Sequence, residues 1–341
     1  MSSNLQKVNK EVIVVGGGPA GLKTAEIAKQ KKLDYVVLEK GKPGQAWADL
    51  RPDMLMLSPC LPQRDWTSLS TKLPIWKMDV QRPYCTAQQF AKYLEAYCDF
   101  FQLDVQTHQP VLKVERSNDG QYVVQTKTYE YSAPVLIVGT GILGNPYFPD
   151  IPGIINNPHV MHAHFYRNKM DFKNQRVLIV GGGNSAAETA IDLVGYSLVY
   201  LITRDELKFF SDTKKLYHIR GVYESYLQEL ISMEIIRYKA YQQITHIEEN
   251  VVHFRNWQLE VDKVIFATGY HGDLKVLNNF KLRVNRKNFP EVTERGESIQ
   301  YPRLFFVGPL FSPSTSTNVI HGFVKLIPKT IEHVESLLKT C

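Results

Sequence analysis

A run of valine and isoleucine, a glycine triplet and a helix start rich in small residues occur twice in this chain, in the same order. The first copy, residues 11–28, reads EVIVVGGGPAGLKTAEIA, and the second, residues 176–192, reads RVLIVGGGNSAAETAID. Gly16 and Gly181 open the two triplets and lie 165 residues apart. Each triplet follows a short apolar run, Val12–Val15 and residues 177–180, with the pattern of a buried parallel strand. The small residues after it read as the start of a helix. In that strand–turn–helix context the spacing G-x-G-x-x-(G/A) cradles the pyrophosphate of a dinucleotide. Gly16 and Gly181 make the turns, Gly18 and Gly183 allow close backbone approach, and Gly21 and Ala186 stand at the third position. The helix N-terminus then offers N–H groups and a positive dipole end to the phosphates. Pro19 and Ala20 in the first copy, and Asn184, Ser185 and Glu188 in the second, complete the expected phosphate-side residues.

The correspondence continues past the glycines. Glu39 ends the next strand of the first copy, Tyr35–Leu38, and Arg204 ends that of the second, Leu198–Ile202. Both lie 21 residues beyond the middle fingerprint glycine, close to the ~20 at which a ribose-reading residue is found. A carboxylate at Glu39 accepts hydrogen bonds from ribose hydroxyls and repels a 2′-phosphate. Arg204, with Thr203, attracts one. The first site therefore suits FAD or NAD and the second NADPH. Lys40 and the turn-rich loop GKPGQAW follow Glu39, placing Gln45 and Trp47 at the carboxyl edge of the first sheet, where ligands bind in open α/β folds. Trp47 either packs on a flavin or anchors its loop.

Composition narrows the remaining classes. The net charge is +6 with no long Lys/Arg run, which gives no footprint for nucleic acid. The four cysteines, Cys60, Cys85, Cys98 and Cys341, form no CxxC pair. That argues against a thioredoxin-reductase-like dithiol and a structural zinc, and for free thiols in a reducing, cytoplasmic setting. The N-terminal MSSNLQKVNK has no apolar signal core, and no apolar run is long enough to span a membrane. Three histidines, His159, His162 and His164, lie within six residues, but no cysteine or carboxylate cluster joins them, so no metal is expected.

Between and after the two copies, residues 86–101 read as a helix capped by Thr86 with Gln89 three residues on. Residues 139–153, GTGILGNPYFPDIPG, carry three prolines and four glycines and form the expected linker. The strand at residues 135–138 runs into Thr140 and Gly141, and residues 262–270 end the same way in Thr268 and Gly269. A last strand, YPRLFFVG, ends at Gly308 and leads through small residues to Asn318 and an amphipathic helix over residues 319–338. That helix is expected to pack on the first domain, with its start aimed at a reduced flavin.

Together, GGGPAG with Glu39, GQAW, RPYCTAQQFAKYLE, GTGILGNPYFPDIPG, GGGNSAAE with Arg204, and FATGY resemble the flavin-dependent monooxygenases with two dinucleotide-binding domains, the microsomal and plant YUCCA-type enzymes among them. The resemblance covers most of the chain. It implies an α/β fold with an FAD-binding domain over residues 1–154 and 286–341 and an NADPH-binding domain over 155–285 inserted into it, with O2 and a small nitrogen or sulfur nucleophile as substrates, and oxygenation through a C4a-(hydro)peroxyflavin. Two places depart from the pattern. The F-x-G-x-x-x-H-x-x-x-[YFW] motif, laid on His162 and Tyr166, meets Asn156 and Pro158. The loop that carries an Asn near the flavin in many members reads Leu57-Ser58-Pro59-Cys60, so Ser58 is the polar substitute there. Ser58 and Asn318 are the candidate catalytic residues. A weaker resemblance joins the chain to NADPH-dependent flavin disulfide reductases of the bacillithiol type, which carry a Cys where this chain has Ala20. The rivals are thus a reductase passing electrons to a disulfide, quinone or protein, and a non-catalytic dinucleotide sensor. Neither the substrate nor homo-oligomerisation is readable from the sequence.

Overall fold

The computed structural model describes residues 5–80, 82–215, 218–311 and 319–340. The chain divides into two compact units: Met1–Asn145 with His271–Cys341, and Pro146–Tyr270. The inner unit begins and ends earlier than the expected 155 and 285. Its edges fall within a few residues of the two Thr-Gly turns, Thr140-Gly141 and Thr268-Gly269.

The first unit is built on a five-stranded parallel sheet in the spatial order 304–306, 135–138, 12–15, 35–38, 105–106. Its four inner strands, 304–306, 135–138, 12–15 and 35–38, are buried at nearly every position because both faces are covered, and only the edge strand 105–106 carries a polar Gln106. Side chains alternate across a strand, and the division is visible residue by residue. Val12 and Val14 face a core with the helices Pro19–Gln30, Ala87–Phe101 and Ile320–Leu338, while Ile13 and Val15 face a second core under another sheet. That second sheet runs 6–9, 129–133, 122–125, 113–116. The helix at 87–101 starts as its sequence dictates: Thr86 accepts from the Gln89 amide and Gln89 accepts from the Thr86 amide, a complete capping box. The amphipathic segment after Val319 is a helix packed into the first core, as expected.

The second unit repeats the plan. Its parallel sheet runs 160–162, 263–266, 176–180, 198–202, 236–239. Val177 and Ile179 face the helices Asn184–Leu193 and Gly221–Ser232, while Leu178 faces the hairpin sheet 244–248, 251–254, 258–260. The two sheets share one spatial order but reach it differently. The outer strand beside 135–138 is the last strand of its unit in the chain, whereas the one beside 263–266 is the first.

Candidate functional site

Each unit presents a glycine turn at the carboxyl end of its central strand. At Gly16 φ is +108°, and an added Cβ would lie 2.7 Å from the Gly139 carbonyl oxygen; at Gly181 φ is +146°, and the clash is with the Ala267 carbonyl at 2.4 Å. These two glycines are required by the fold. Gly18 and Gly183 are different. Their backbones are extended, with φ −80° and −104°, and a Cβ on either would meet no protein atom within 4 Å. Each is the N-cap of its helix and offers no side chain to cap it. A cradle kept open by glycine at an uncapped helix N-terminus of ten or twelve residues fits a pyrophosphate in both units. Gly21 seats the first helix on its strand, since a Cβ there would fall 1.9 Å from the Gly16 oxygen. Gly308 lies against the same helix start, with φ +69° and Ala20 in the way of any side chain.

Glu39 is buried beside this turn. Its Oε2 accepts from the Gly17 amide at 2.6 Å and its Oε1 from the Gly41 amide at 2.8 Å. These bonds fix the carboxylate at the end of the second strand, where a ribose-reading group belongs. The loop beyond it is tied back, with the Gly44 amide donating to the Gly17 carbonyl. Lys40 is exposed, and Gln45 donates to Asp49. Trp47 meets Phe90 edge to face, ring centroids 5.0 Å apart.

In the second unit the structural partner of Glu39 is Thr203, not Arg204. Gly16 donates to the Leu38 carbonyl and Gly181 to the Ile202 carbonyl, so the residues that follow, Glu39 and Thr203, correspond. The middle glycines agree: a Cβ on Gly17 would meet Glu39, and one on Gly182 would meet Thr203. The sequence offset slips by one in the connection between helix and strand. Thr203 is buried, its hydroxyl donating to the Asp205 carbonyl beside the Tyr238 hydroxyl, and Arg204 stands exposed next to it. Asn184 holds the segment opposite, donating to the His218 carbonyl and accepting from the Arg220 amide. Ser185 is exposed and Glu188 half-buried on the same helix.

The two Thr-Gly turns act as a matched pair of clasps. Thr140 donates its hydroxyl to the Asp273 carbonyl at 2.5 Å while Gly141 accepts from the Asp273 amide. Thr268 donates to the Tyr147 carbonyl at 2.5 Å while Gly269 accepts from the Tyr147 amide. Both hydroxyls are thus engaged in holding chain. The histidine cluster has a similar use. His162 is buried; its Nδ1 accepts from the His164 amide, so the proton sits on Nε2, which donates to the Gly269 carbonyl at 3.1 Å. Burial pushes its pKa down to about 4.

The irregular stretch 51–85 closes on itself in the first unit. The Met56 amide donates to the Cys85 carbonyl and the Cys60 amide to the Pro83 carbonyl, each at 2.8 Å. Ser58 is buried in this arm, its carbonyl held by the Thr67 hydroxyl. The return of the chain sets two buried thiols side by side, which the sequence reading, looking for CxxC, passed over. Cys60 Sγ donates to the Arg82 and Pro83 carbonyls; the neighbouring Cys85 thiol holds the Cys60 pKa below its ordinary range, and Cys60 together with burial pushes Cys85 up. Their separation of 25 residues is no motif; only the antiparallel return pairs them. His321, in the first turn of the last helix, lies tilted against Trp66, ring centroids 5.0 Å apart and planes at 35°. Asn318 lies outside the described residues. Among the described residues no helix is long and apolar enough to cross a membrane.

A family model for pyridine nucleotide-disulphide oxidoreductases matches residues 13–308, both glycine turns included. The chain belongs to this family. Its members are oxidoreductases, and FAD and NADPH are the cofactors that family and the two open cradles fit. Among curated proteins the chain is similar to "Uncharacterized oxidoreductase CzcO" of Bacillus subtilis, 25% identical over 79% of this chain and 83% of that protein. It is also similar to "Probable indole-3-pyruvate monooxygenase YUCCA1" of Arabidopsis thaliana, 31% identical over 54% of this chain. The match spans 44% of the YUCCA1 length. The fold is that of the flavin-containing monooxygenase from Stenotrophomonas maltophilia, with TM-score 0.84 and 21% identity over 97% of this chain and 99% of the other. The bacillithiol disulfide reductase Bdr (YpdA) from Staphylococcus aureus fits as well, with TM-score 0.83 and 22% identity over 98% and 99%.

Proposed function

We infer that this oxidoreductase is an NADPH- and O2-dependent monooxygenase, with FAD on the first unit and NADPH on the second, that oxygenates a small nitrogen or sulfur nucleophile. The observation that carries the two-cofactor reading is the pair of open glycine cradles, one per unit, with a buried carboxylate beside one and an exposed arginine beside the other. The local likeness to indole-3-pyruvate monooxygenases, 31% over 191 residues, supports oxygenation. Bound FAD would supply the redox chemistry, taking a hydride from NADPH and, once reduced, activating O2. The protein's own residues bind and orient. Glu39 accepts from the adenosine ribose, the helix starts after Gly18 and Gly183 receive phosphates, and Arg204 draws in a 2′-phosphate. Ser58 offers one hydroxyl donor where an asparagine amide offers two, and Asn318 is the second polar candidate. With fewer donors from the protein beside a bound flavin, water would compete, so appreciable H2O2 release is expected alongside product. The test is reduction of the purified protein by NADPH without oxygen, then mixing with O2 and an amine or thioether panel, following flavin absorbance and oxygenated product. Reduction by NADPH without product from any nucleophile, at any pH, sinks the oxygenase.

The second reading, an NADPH-dependent reductase of a disulfide, quinone or protein acceptor, rests on the Cys60–Cys85 contact. For a disulfide acceptor, turnover lost in Cys60→Ser and in Cys85→Ser, with flavin reduction by NADPH intact, would make this the better account.

A further inference from the structure

The outer face of the hairpin in the second unit carries a group that neither cofactor site uses. In the strand pairing His246 stands directly opposite His253, and Glu248 follows two residues along, on the same face. Ile247 and Val252, the residues between, point into the core and are buried. Alternation therefore turns two imidazoles and a carboxylate outward together. One ligating atom from each of the three lies within 4.8 Å of the other two. The imidazole rings are stacked, with centroids 4.1 Å apart and planes 6° from parallel. His253 Nε2 is buried without a hydrogen-bond partner and lies 3.9 Å from Glu248 Oε2.

The neighbouring threonine fixes which nitrogen of His246 is available. Thr245 has one hydroxyl proton and gives it to the His253 carbonyl at 3.0 Å. Its contact with His246 Nδ1, at 3.2 Å, must then be Nδ1–H donating to the hydroxyl oxygen. The lone pair of His246 is consequently on Nε2. A ring held by a hydrogen bond through one nitrogen, with the other free, is the usual arrangement of a metal-binding histidine.

The geometry points to a site for a divalent first-row transition metal, zinc as the type case, bound by His246, Glu248 and His253 across the two strands. Two imidazoles and one carboxylate are a known three-ligand set for zinc, which leaves a fourth position for water. Tetrahedral ligands about 2.1 Å from zinc sit about 3.4 Å apart, so side-chain rotations that slide the stacked rings apart close the remaining distance. The same donors are poor for magnesium or calcium, which take oxygen ligands.

The test uses the untagged, full-length flavoprotein, freed of metal with a chelator and titrated with Zn2+ by calorimetry and with Co2+ by visible absorption. One equivalent of Zn2+, displacing a Co2+ with the intense spectrum of a four-coordinate site, is the expected result. His246→Ala and His253→Ala should each weaken Zn2+ binding at least tenfold, and Thr245→Val should weaken it by roughly 10- to 100-fold through loss of the tautomer lock. His164→Ala, in the separate histidine cluster, should leave it unchanged. Binding that is no tighter than in the His246→Ala/His253→Ala double variant overturns the proposal, as does loss of the site in His164→Ala. His246 is exposed, so its variant is expected to fold; circular dichroism checks that.

Discussion

Gly18 and Gly21 lie three residues apart on one turn, and they are glycine for unrelated reasons. A side chain at Gly21 collides with the Gly16 carbonyl, whereas one at Gly18 enters open space with an ordinary φ. Gly21→Ala should therefore destabilise the fold by about 2 kcal/mol or more, read by thermal or urea melting. Gly18→Val should fold with near-normal stability and yet purify colourless; a yellow Gly18→Val protein with normal FAD content would refute the phosphate role. The slip that places Thr203 opposite Glu39 leaves Arg204 as the exposed charge at the strand end. Arg204→Ala should raise the KM for NADPH about tenfold, the worth of one charge-assisted contact, and leave NADH nearly unaffected. Equal losses for the two cofactors would remove Arg204 from the 2′-phosphate site. The carboxylate and the arginine were both legible as strand-ending residues, but the one-residue slip was not: it depends on the length of a turn, which the glycine spacing does not record.

The strand Val160–His162 shows what a three-residue element at a sheet edge depends on. It is paired on one side only, to 263–266, and its last residue is tied to the Gly269 carbonyl by a neutral imidazole. In the folded protein His162 holds its pKa near 4, against an unfolded value of 6.5. Between those values the unfolded chain binds more protons, so stability rises with pH there. It is fully present above about 6.5 and is lost as pH falls toward 4, by on the order of 2–3 kcal/mol. Urea melts across that range should show the loss, and His162→Gln, which keeps an N–H donor, should flatten it; an equally steep profile in the variant would assign the effect to other groups. The long buried strands and the capped helix at 87–101 were readable from apolar runs and from Thr86 with Gln89. The edge strand was not, because three residues carry no period. Nor was the Cys60–Cys85 contact, which is made by the return of an arm without regular structure.

At the scale of the whole molecule, one plan is used twice: a parallel sheet with helices on one face and a second sheet on the other, mixed in the outer unit, where 6–9 runs parallel to 129–133, and antiparallel in the inner one. The 165-residue repeat announced the duplication. It did not announce that the outermost strands are drawn from opposite ends of their units, since that strand precedes the glycine turn in one copy and follows every other strand in the other. This difference sets a timetable during synthesis. The inner unit, Pro146–Tyr270, has all five of its parallel strands once residue 266 has left the ribosome. The outer unit, although its first strand emerges far earlier, still lacks the 304–306 strand and the 320–338 helix, and exposes the flank of 135–138 until they arrive. A nascent chain stalled with residue 300 just outside the exit tunnel should therefore resist protease over the middle of the sequence while its N-terminal 145 residues are cut; the part made first is the part finished last.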